Sequence, residues 1–330
     1  MISLVLPIVC LFCLTLSTTS GYAAQKRPPG KKPVAKTPTT AAPKPTVDMT
    51  VLQTQVMLDR AGYSPGEIDG AMGGSTKRAL DAFTKNGGKA DALPADAATT
   101  YTITEQDAAG PFTPDIPEDM VEKSKLAALG YANLLEALAE RFHANPNLLK
   151  RLNPSAKFAA GEQIQVPAVT ETVEPVGPPR GGQSDAGAPS GNPAATIVTV
   201  RKSTSDLVVA DGTGKVLMYA PVTTGSVHDP LPIGDWKVTG VQRDPKFNYN
   251  PALFWDAEPG HSKATIPPGP NNPVGVVWID ISRPHYGLHG TPEPQSVGKT
   301  ASHGCVRLTN WDARKLASLV RPGTKVVFAE

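Results

Sequence analysis

The sequence is poor in cysteine, which excludes a fold held together by several disulfide bonds. Only three of its 330 residues are cysteine, and Cys10 and Cys13 lie in an apolar N-terminal run. That run ends in the small-x-small pattern Gly21-Tyr22-Ala23, which is typical of a cleavage site for secretion. We expect residues 1–23 to be removed as a signal peptide. Cys305 is then the one thiol left in an oxidising compartment, where it has no internal partner.

Net charge and long hydrophobic runs are scarce as well. The formal net charge of +2 is too close to zero to favour nucleic acid as a partner. The apolar run Ile2–Leu16 is shorter than the ~20 residues of a membrane span, and no later run is longer. Basic charge is concentrated in residues 24–47, a proline-rich stretch with six Lys or Arg residues and no acid. We interpret this stretch as a disordered basic tether.

Two short units with helical periodicity follow. In residues 48–88, apolar residues at helical spacing predict one helix that ends at Ala61-Gly62 and a second that starts near Ser75 or Thr76. Residues 89–130 show little pattern and are predicted to be an irregular connector. In residues 131–168, a leucine-rich helix, a second helix begun by Asn145-Pro146 and a closing strand at 163–167 are expected. Residues 169–193 are rich in Pro, Gly and Ser and are predicted to be a linker.

The last segment, residues 194–330, has a β pattern. β-branched and polar residues alternate on both sides of Asp211-Gly212, which predicts a hairpin. Further strands are expected at 235–241, 274–281 and 325–328. One helix is predicted after Thr309, because Thr309 and Asp312 have the spacing of a capping box. The segment therefore reads as a mostly-β domain with one helix.

The chemistry-bearing residues cluster near the end of this segment, at His285, His289, His303 and Cys305. Three interpretations stay open. A thiol beside an imidazole can act as a nucleophile once the imidazole accepts its proton. The same side chains are types that zinc accepts, although their spacing is not that of a usual structural zinc motif. They are also compatible with satisfied core residues.

Under the nucleophile interpretation, neighbouring glycines have a role. Gly304 lets the backbone approach a substrate closely. The backbone N–H groups of Gly304 and Cys305 could then receive a developing oxyanion. Apolar walls for the pocket could come from a set of four aromatic residues: Phe254, Trp255, Trp278 and Tyr286.

The stretch from Ala195 to Glu330 resembles the catalytic domain of L,D-transpeptidases of the YkuD type. The resemblance rests on HGT at 289–291, SHGCVRL at 302–308 and PIGDWKV at 232–238. It implies a YkuD-like β sandwich with one helix, and a cysteine acyltransferase that needs no cofactor and no metal. Its implied substrate is peptidoglycan. The enzyme would cleave the bond between diaminopimelate and D-alanine in a tetrapeptide stem and pass the acyl group through a thioester to an amine, giving a 3→3 cross-link.

The resemblance also implies roles for individual residues. Cys305 corresponds to the nucleophile and His289 to the base that activates it, with the Gly290 carbonyl as the group that orients the base. Ser302, His303 and Gly304 match the loop that shapes the site. Arg307 matches a position that supports this loop and the acyl-donor end.

The two earlier units resemble wall-binding modules. Residues 48–88 resemble a peptidoglycan-binding-1 domain, on the loop from Gly62 to Gly70. Residues 131–168 resemble a LysM domain, a βααβ unit, on Arg151-Leu152-Asn153-Pro154 and the GEQIQVP stretch at 161–167. The expected arrangement is thus a multidomain protein of the periplasm or cell envelope, with two binding modules on flexible linkers. Its partners would be stem peptides and glycan strands. A lipoprotein of the outer membrane, a second stem, a free D-amino acid and water stay open as acceptors.

Overall fold

The computed structural model describes residues 47–170, 196–258 and 260–330. The predicted signal peptide at 1–23, the tether up to residue 46 and the linker from residue 171 to 193 lie outside the described residues. Within the described ranges, no helix combines the length and the apolar character that a membrane span requires.

The first described unit is a pair of helices, as the periodicity predicts. Helix α1, Met49–Arg60, is N-capped by the Asp48 carboxylate, which accepts from the backbone N–H groups of the first turn. Gly62 follows the end of the helix, and its φ of +80° favours glycine. Helix α2 spans Gly74–Lys85 and begins one residue before the predicted start. The loop between them is held by Gln55, whose amide oxygen accepts from Gly70 N–H at 2.8 Å.

The next unit begins earlier than predicted. A two-stranded antiparallel sheet pairs β1, Ala98–Thr102, with β2, Gln163–Pro167, so that Ala98 lies opposite Pro167. Four helices lie between the two strands, and they are α3 (Glu105–Ala109), α4 (Met120–Lys123), α5 (Leu134–Arg141) and α6 (Pro146–Leu152). The predicted N-cap Asn145 with proline at the first helical position is confirmed.

The prediction of an irregular connector over residues 89–130 is therefore wrong. The strand β1 reads ATTYT, and its face carries polar threonines that remain exposed or half-exposed. Such a strand has no apolar alternation to reveal it. Its one large side chain, Tyr101, packs edge-on against Phe142 of the helical part, with ring centroids 5.0 Å apart. The strand that pairs with β2 thus lies outside the predicted range 131–168.

The C-terminal segment is built on an eight-stranded mixed sheet with one α-helix. In spatial order the strands are β11 (Val306–Arg307), β10 (Gly287–His289), β9 (Val277–Ile281), β6 (Gly234–Arg243), β12 (Lys325–Ala329), β3 (Ile197–Arg201), β4 (Asp206–Ala210) and β5 (Val216–Pro221). Two pairs are parallel, β10 with β11 and β3 with β12. A small hairpin of β7 (Phe247–Tyr249) and β8 (Ala264–Ile266) stands apart. Helix α7 spans Asn310–Leu319, with Thr309 as its N-cap.

The long strand β6 joins the two halves of this sheet. Its first part, Gly234–Lys237, pairs with β12, and its second part, Val238–Arg243, pairs with β9. Both halves and α7 contribute apolar side chains to one common core, which includes Val200, Ile279 and Leu316. The predicted mostly-β domain with one helix is confirmed. The strand expected from Val274 starts only at Val277, because Gly275 turns the chain with a φ of +62°.

The helical units pack directly against the C-terminal domain. The described residues, from residue 47 onward, form one compact unit. The loop after α1 extends the sheet, since Ser64 N–H donates to Tyr219 O at 2.8 Å and Tyr219 N–H donates to Gly62 O at 2.9 Å. His143 stacks on Trp311, with ring centroids 5.2 Å apart. A cavity of about 400 Å³ remains at this junction, away from Cys305. The described helical units therefore contact the C-terminal domain directly, whereas the predicted linker lies outside the described residues from residue 171 onward.

Candidate active site

The parallel pair of strands β10 and β11 places the predicted catalytic residues on one face. Leu288 lies opposite Val306 and His289 opposite Arg307. Leu288 and Val306 both point into the common core. Because side chains alternate along a strand, His289 and Arg307 point to the other face. Cys305 comes directly before β11 and belongs to the same side as Arg307.

The imidazole of His289 is buried, with 4% of the residue exposed, and its tautomer is fixed by a backbone carbonyl. Its Nδ1 lies 2.6 Å from Gly290 O. A carbonyl oxygen only accepts hydrogen bonds, so Nδ1 carries the proton. Burial, together with the nearby positive charge of Arg307, lowers the pKa of His289 to about 3, although the Gly290 carbonyl acts in the opposite direction. The ring is therefore neutral near pH 7, and its Nε2 has a free lone pair.

Cys305 is a free, partly exposed cysteine. Its thiol donates to His285 O, with Sγ and O 3.8 Å apart. Burial raises the pKa of the Cys305 thiol, while the Gly287 backbone N–H and the Arg307 guanidinium favour its thiolate. Without substrate, the site thus holds a neutral thiol on the same side of the strands as a neutral imidazole. The groups that would stabilise a sulfur anion are already in place.

The loop before Cys305 is held by its own hydrogen bonds. Ser302 Oγ donates to Cys305 O at 2.6 Å, and Ser302 N–H donates to Thr224 O at 2.9 Å. Gly304 has a φ of +102°, and a Cβ there would lie 2.6 Å from Tyr286 Cε1. Only glycine meets both conditions at this position. Ser302 and Gly304 therefore fix the path of the backbone that presents the thiol.

His303 points away from the sulfur. Its Nε2 lies 2.8 Å from Asp256 Oδ1, and its ring packs edge-on against Phe254. Trp255 lies beside it with 61% of its surface exposed. His303 thus joins the thiol loop to the aromatic loop at 250–258, which holds two of the predicted pocket walls. Burial lowers the pKa of the Arg307 guanidinium. The nearby charges of Cys305, Glu293 and Asp256 act in the opposite direction.

Comparison with known proteins bears on this arrangement. Residues 195–328 match the family model described as YkuD, the L,D-transpeptidase catalytic domain. The L,D-transpeptidase YqjB of Bacillus subtilis is 32% identical over 145 residues, which are 42% of this chain and 73% of YqjB. The chain belongs to the YkuD family of L,D-transpeptidases. It is therefore an acyltransferase of peptidoglycan.

Two other known proteins have a lower sequence identity to this chain. The L,D-transpeptidase YkuD of Bacillus subtilis is 27% identical over 196 residues, which are 59% of this chain and 92% of that protein. Among solved structures, an L,D-transpeptidase from Mycobacterium smegmatis is 18% identical. That comparison has a TM-score of 0.34 and covers 42% of this chain and 59% of the other.

The zinc alternative, which the sequence leaves open, is not favoured by these contacts. His289 directs Nδ1 to a carbonyl, and His303 directs Nε2 to Asp256. Within the described ranges, the group of possible metal ligands that does lie together is Asp119, Glu258 and His261. There, His261 Nε2 lies 2.8 Å from Asp119 Oδ2, and its Nδ1 contacts Tyr249 OH at 3.0 Å. Ion pairing and this hydrogen bond account for the group.

The sequence does not reveal one buried residue of the transpeptidase site. Asn310 is fully buried, and its Oδ1 accepts from Val276 N–H at 3.2 Å. The same oxygen lies against Gly290 and Gly275, and a Cβ on either glycine would collide with it. Gly275 and Gly290 could indicate from the sequence that another group approaches the backbone closely. They do not indicate which group, because Asn310 lies on another element. At the start of a helix, an asparagine reads as a capping residue.

Proposed function

We propose that this transpeptidase works through Cys305 as nucleophile and His289 as general base. The donor is a tetrapeptide stem of peptidoglycan, cleaved between diaminopimelate and D-alanine. The acceptor is an amine of a second stem, and the product is a 3→3 cross-link. The carrying observation is the 2.6 Å contact between His289 Nδ1 and Gly290 O, because it leaves Nε2 unprotonated and able to accept a proton.

The first half-reaction forms a thioester. His289 Nε2 takes the thiol proton as Cys305 Sγ attacks the carbonyl carbon of the diaminopimelate residue. The new S–C bond forms and the carbonyl π electrons move to oxygen. When the carbonyl re-forms, the C–N bond breaks, and the imidazolium gives its proton to the leaving D-alanine amine. The substrate-free contact of Sγ with His285 O must be exchanged for one with His289 as substrate enters.

The second half-reaction resolves the acyl-enzyme. The acceptor amine attacks the thioester carbon, gives a proton to His289 Nε2, and displaces the Cys305 thiolate, which recovers that proton. The Gly287 N–H and Arg307 favour the thiolate as a leaving group. In both halves the backbone N–H groups of Gly304 and Cys305 stabilise the oxyanion. Ser302 supports them by holding the Cys305 carbonyl at 2.6 Å.

The remaining assignments follow from the substrate. We propose that the enzyme acts in the periplasm or cell envelope, where this polymer lies, and that the signal segment directs it there. Residues 48–88 and the LysM-like unit would contact the polymer as parts of the same compact unit. A lipoprotein amine, a D-amino acid and water are further acceptors that the same acyl-enzyme can meet. Each of these acceptors would give a different product, so product analysis distinguishes them.

Mass spectrometry of the intact protein tests the proposal. On incubation with a tetrapeptide muropeptide, the wild type should gain the mass of the stem minus D-alanine, and Cys305→Ala should gain nothing. Adding a second stem should discharge the adduct and yield the cross-linked product. A zinc peptidase would instead lose activity to a chelator and keep it after thiol alkylation, an outcome that would reject the cysteine mechanism.

A further inference from the structure

A buried carboxylate from the LysM-like unit reaches into the catalytic domain. Glu140 lies near the end of helix α5, with 9% of the residue exposed. Tyr131 OH donates to its Oε1 at 3.0 Å. Asn310 Nδ2 donates to its Oε2 at 2.9 Å, across 170 positions in the sequence. Both carboxylate oxygens are therefore engaged, one by a residue of its own unit and one by the first residue of α7.

The Asn310 amide has one orientation because its other partners define it. Its Oδ1 accepts from Val276 N–H at 3.2 Å, and its Nδ2 also donates to Pro270 O at 3.2 Å. A backbone N–H can only donate and a backbone carbonyl can only accept, so the amide cannot flip. Glu140, from helix α5, supplies the remaining hydrogen-bond partner of the Asn310 amide. Without it, a fully buried amide loses one of its hydrogen-bond acceptors.

The held amide in turn backs the residue that orients the catalytic base. Asn310 Oδ1 packs directly against Gly290, with no room for a Cβ between them. Gly290 O is the acceptor for His289 Nδ1, and Gly290 N–H donates to Val277 O at 3.2 Å. A displacement of the Asn310 side chain therefore reaches the carbonyl that fixes the tautomer of His289.

We infer that Glu140 is a positioning residue for the transpeptidase reaction, acting on His289 through Asn310 and Gly290. The inference rests on the proposed role of His289 as base. It makes the LysM-like unit a structural part of the active site as well as a candidate contact for the wall polymer. Glu140 itself touches neither substrate nor the reacting atoms.

The decisive variant is Glu140→Ala in the full chain, with Glu136→Ala as its matched control. Glu136 is a glutamate one turn earlier on α5 and also bonds across to the catalytic domain. Its Oε1 accepts from Asn271 Nδ2 at 2.8 Å and does not contact Asn310. Glu140→Gln is the conservative variant, because its amide oxygen can accept from Asn310 while its NH₂ donates to the Tyr131 hydroxyl.

Two readouts separate positioning from general loosening. In nitrogen-15-labelled protein, the His289 Nδ1–H resonance reports the bond to Gly290 without any substrate. In E140A this resonance should broaden or shift, while in E136A and E140Q it should stay in place. In the acyl-transfer assay, E140A should lower kcat about tenfold with KM little changed, since a misplaced general base forfeits part of its contribution. E140Q should recover at least half of the wild-type kcat.

The outcomes decide the inference in either direction. An unchanged Nδ1–H resonance in E140A, or an equal loss of kcat in E136A, overturns it. If E140A does not fold, Glu140→Asp is judged by the same criteria, because it keeps the charge and retracts the carboxylate by one methylene. If the wild type forms no acyl-enzyme at all, the proposed function fails, and the resonance alone still decides whether Glu140 positions His289.

Discussion

At the scale of single residues, the candidate site holds a neutral thiol and a neutral imidazole, which the proposed mechanism uses as nucleophile and base. Burial disfavours the charged form of each group, so it raises the pKa of Cys305 and lowers the pKa of His289 to about 3. An exposed Cys–His ion pair would react with any electrophile. In the proposed mechanism, the proton moves only when a bound substrate brings the two groups together.

The pH dependence of thiol alkylation tests this electrostatic state. Because the pKa of Cys305 is raised, little thiolate exists at pH 7, and the rate with iodoacetamide should still be rising at pH 9. Arg307→Gln removes a charge that lowers the pKa of the Cys305 thiol, so it should slow alkylation at pH 8. A rate that reaches its plateau below pH 8 would show a preformed thiolate and contradict the assignment.

Gly304 offers a second test at this scale. Gly304→Ala should cost about 1–2 kcal/mol for the left-handed backbone alone. It should also abolish most acyl-enzyme formation, because the new methyl group pushes against Tyr286. Gly323→Ala is the control, since Gly323 has a similar φ of +95° and open space around it. Thermal unfolding and adduct formation should separate the two variants, and equal activity in both would refute the steric role.

At the scale of elements, the sequence predicts structure best where a local signal and the tertiary environment agree. Helix α7 has a capping residue and an apolar face, and β6 contains Trp236 and Val238 at alternate positions, so both appear where expected. Strand β1 has neither signal and forms because β2 pairs with it from a distant part of the chain. Ala98 lies opposite Pro167, and Gln165 Nε2 donates to Thr100 Oγ1 across 65 positions in the sequence.

The same distinction applies to the site. The motif residues in and beside β10 and β11 include the thiol, the proposed base and the glycine next to each of them. The support from Asn310 and Glu140 depends on contacts between distant elements, which no spacing in the chain reveals. The depressed pKa of His289 could not be predicted either, because it follows from burial.

The N-cap of α7 provides a test at the element scale. Thr309 Oγ accepts from Asp312 N–H at 3.1 Å, and both residues are buried. Thr309→Val keeps the shape and removes both this acceptor and the hydroxyl that donates to Asp312 Oδ2 at 2.7 Å, so it should lower the free energy of unfolding by roughly 1–2 kcal/mol. Chemical denaturation measures the change. A difference within error would mean that packing alone fixes the start of the helix.

At the scale of the whole molecule, the junction of the helical units with α7 contains buried ionisable groups. Asp312 accepts from Ser64 Oγ at 2.9 Å, and burial raises its pKa to about 6, against the opposing effect of nearby His143. The same burial disfavours a charged His143, but Asp59, 2.8 Å away, raises its pKa. Packing the units together thus creates proton-binding groups that neither part would have alone.

This junction predicts a pH-dependent stability. Because the pKa of Asp312 is higher in the folded state than in the unfolded state, folding retains a proton between about pH 4 and pH 6. The contribution of Asp312 to stability is therefore present at pH 4 and lost as the pH rises to 6. In Asp312→Asn that loss should be absent. Denaturation at several pH values checks it, and parallel curves for the two proteins would rule out the assignment.

The loop from Gly62 to Ser64 hydrogen-bonds to the outer edge of strand β5, the last strand of the sheet. An uncovered outer strand offers its backbone to any other extended peptide, and such pairing starts aggregation. The covering loop precedes β5 in the sequence, so during synthesis it leaves the ribosome first. A nascent chain can therefore shield that strand as soon as it emerges.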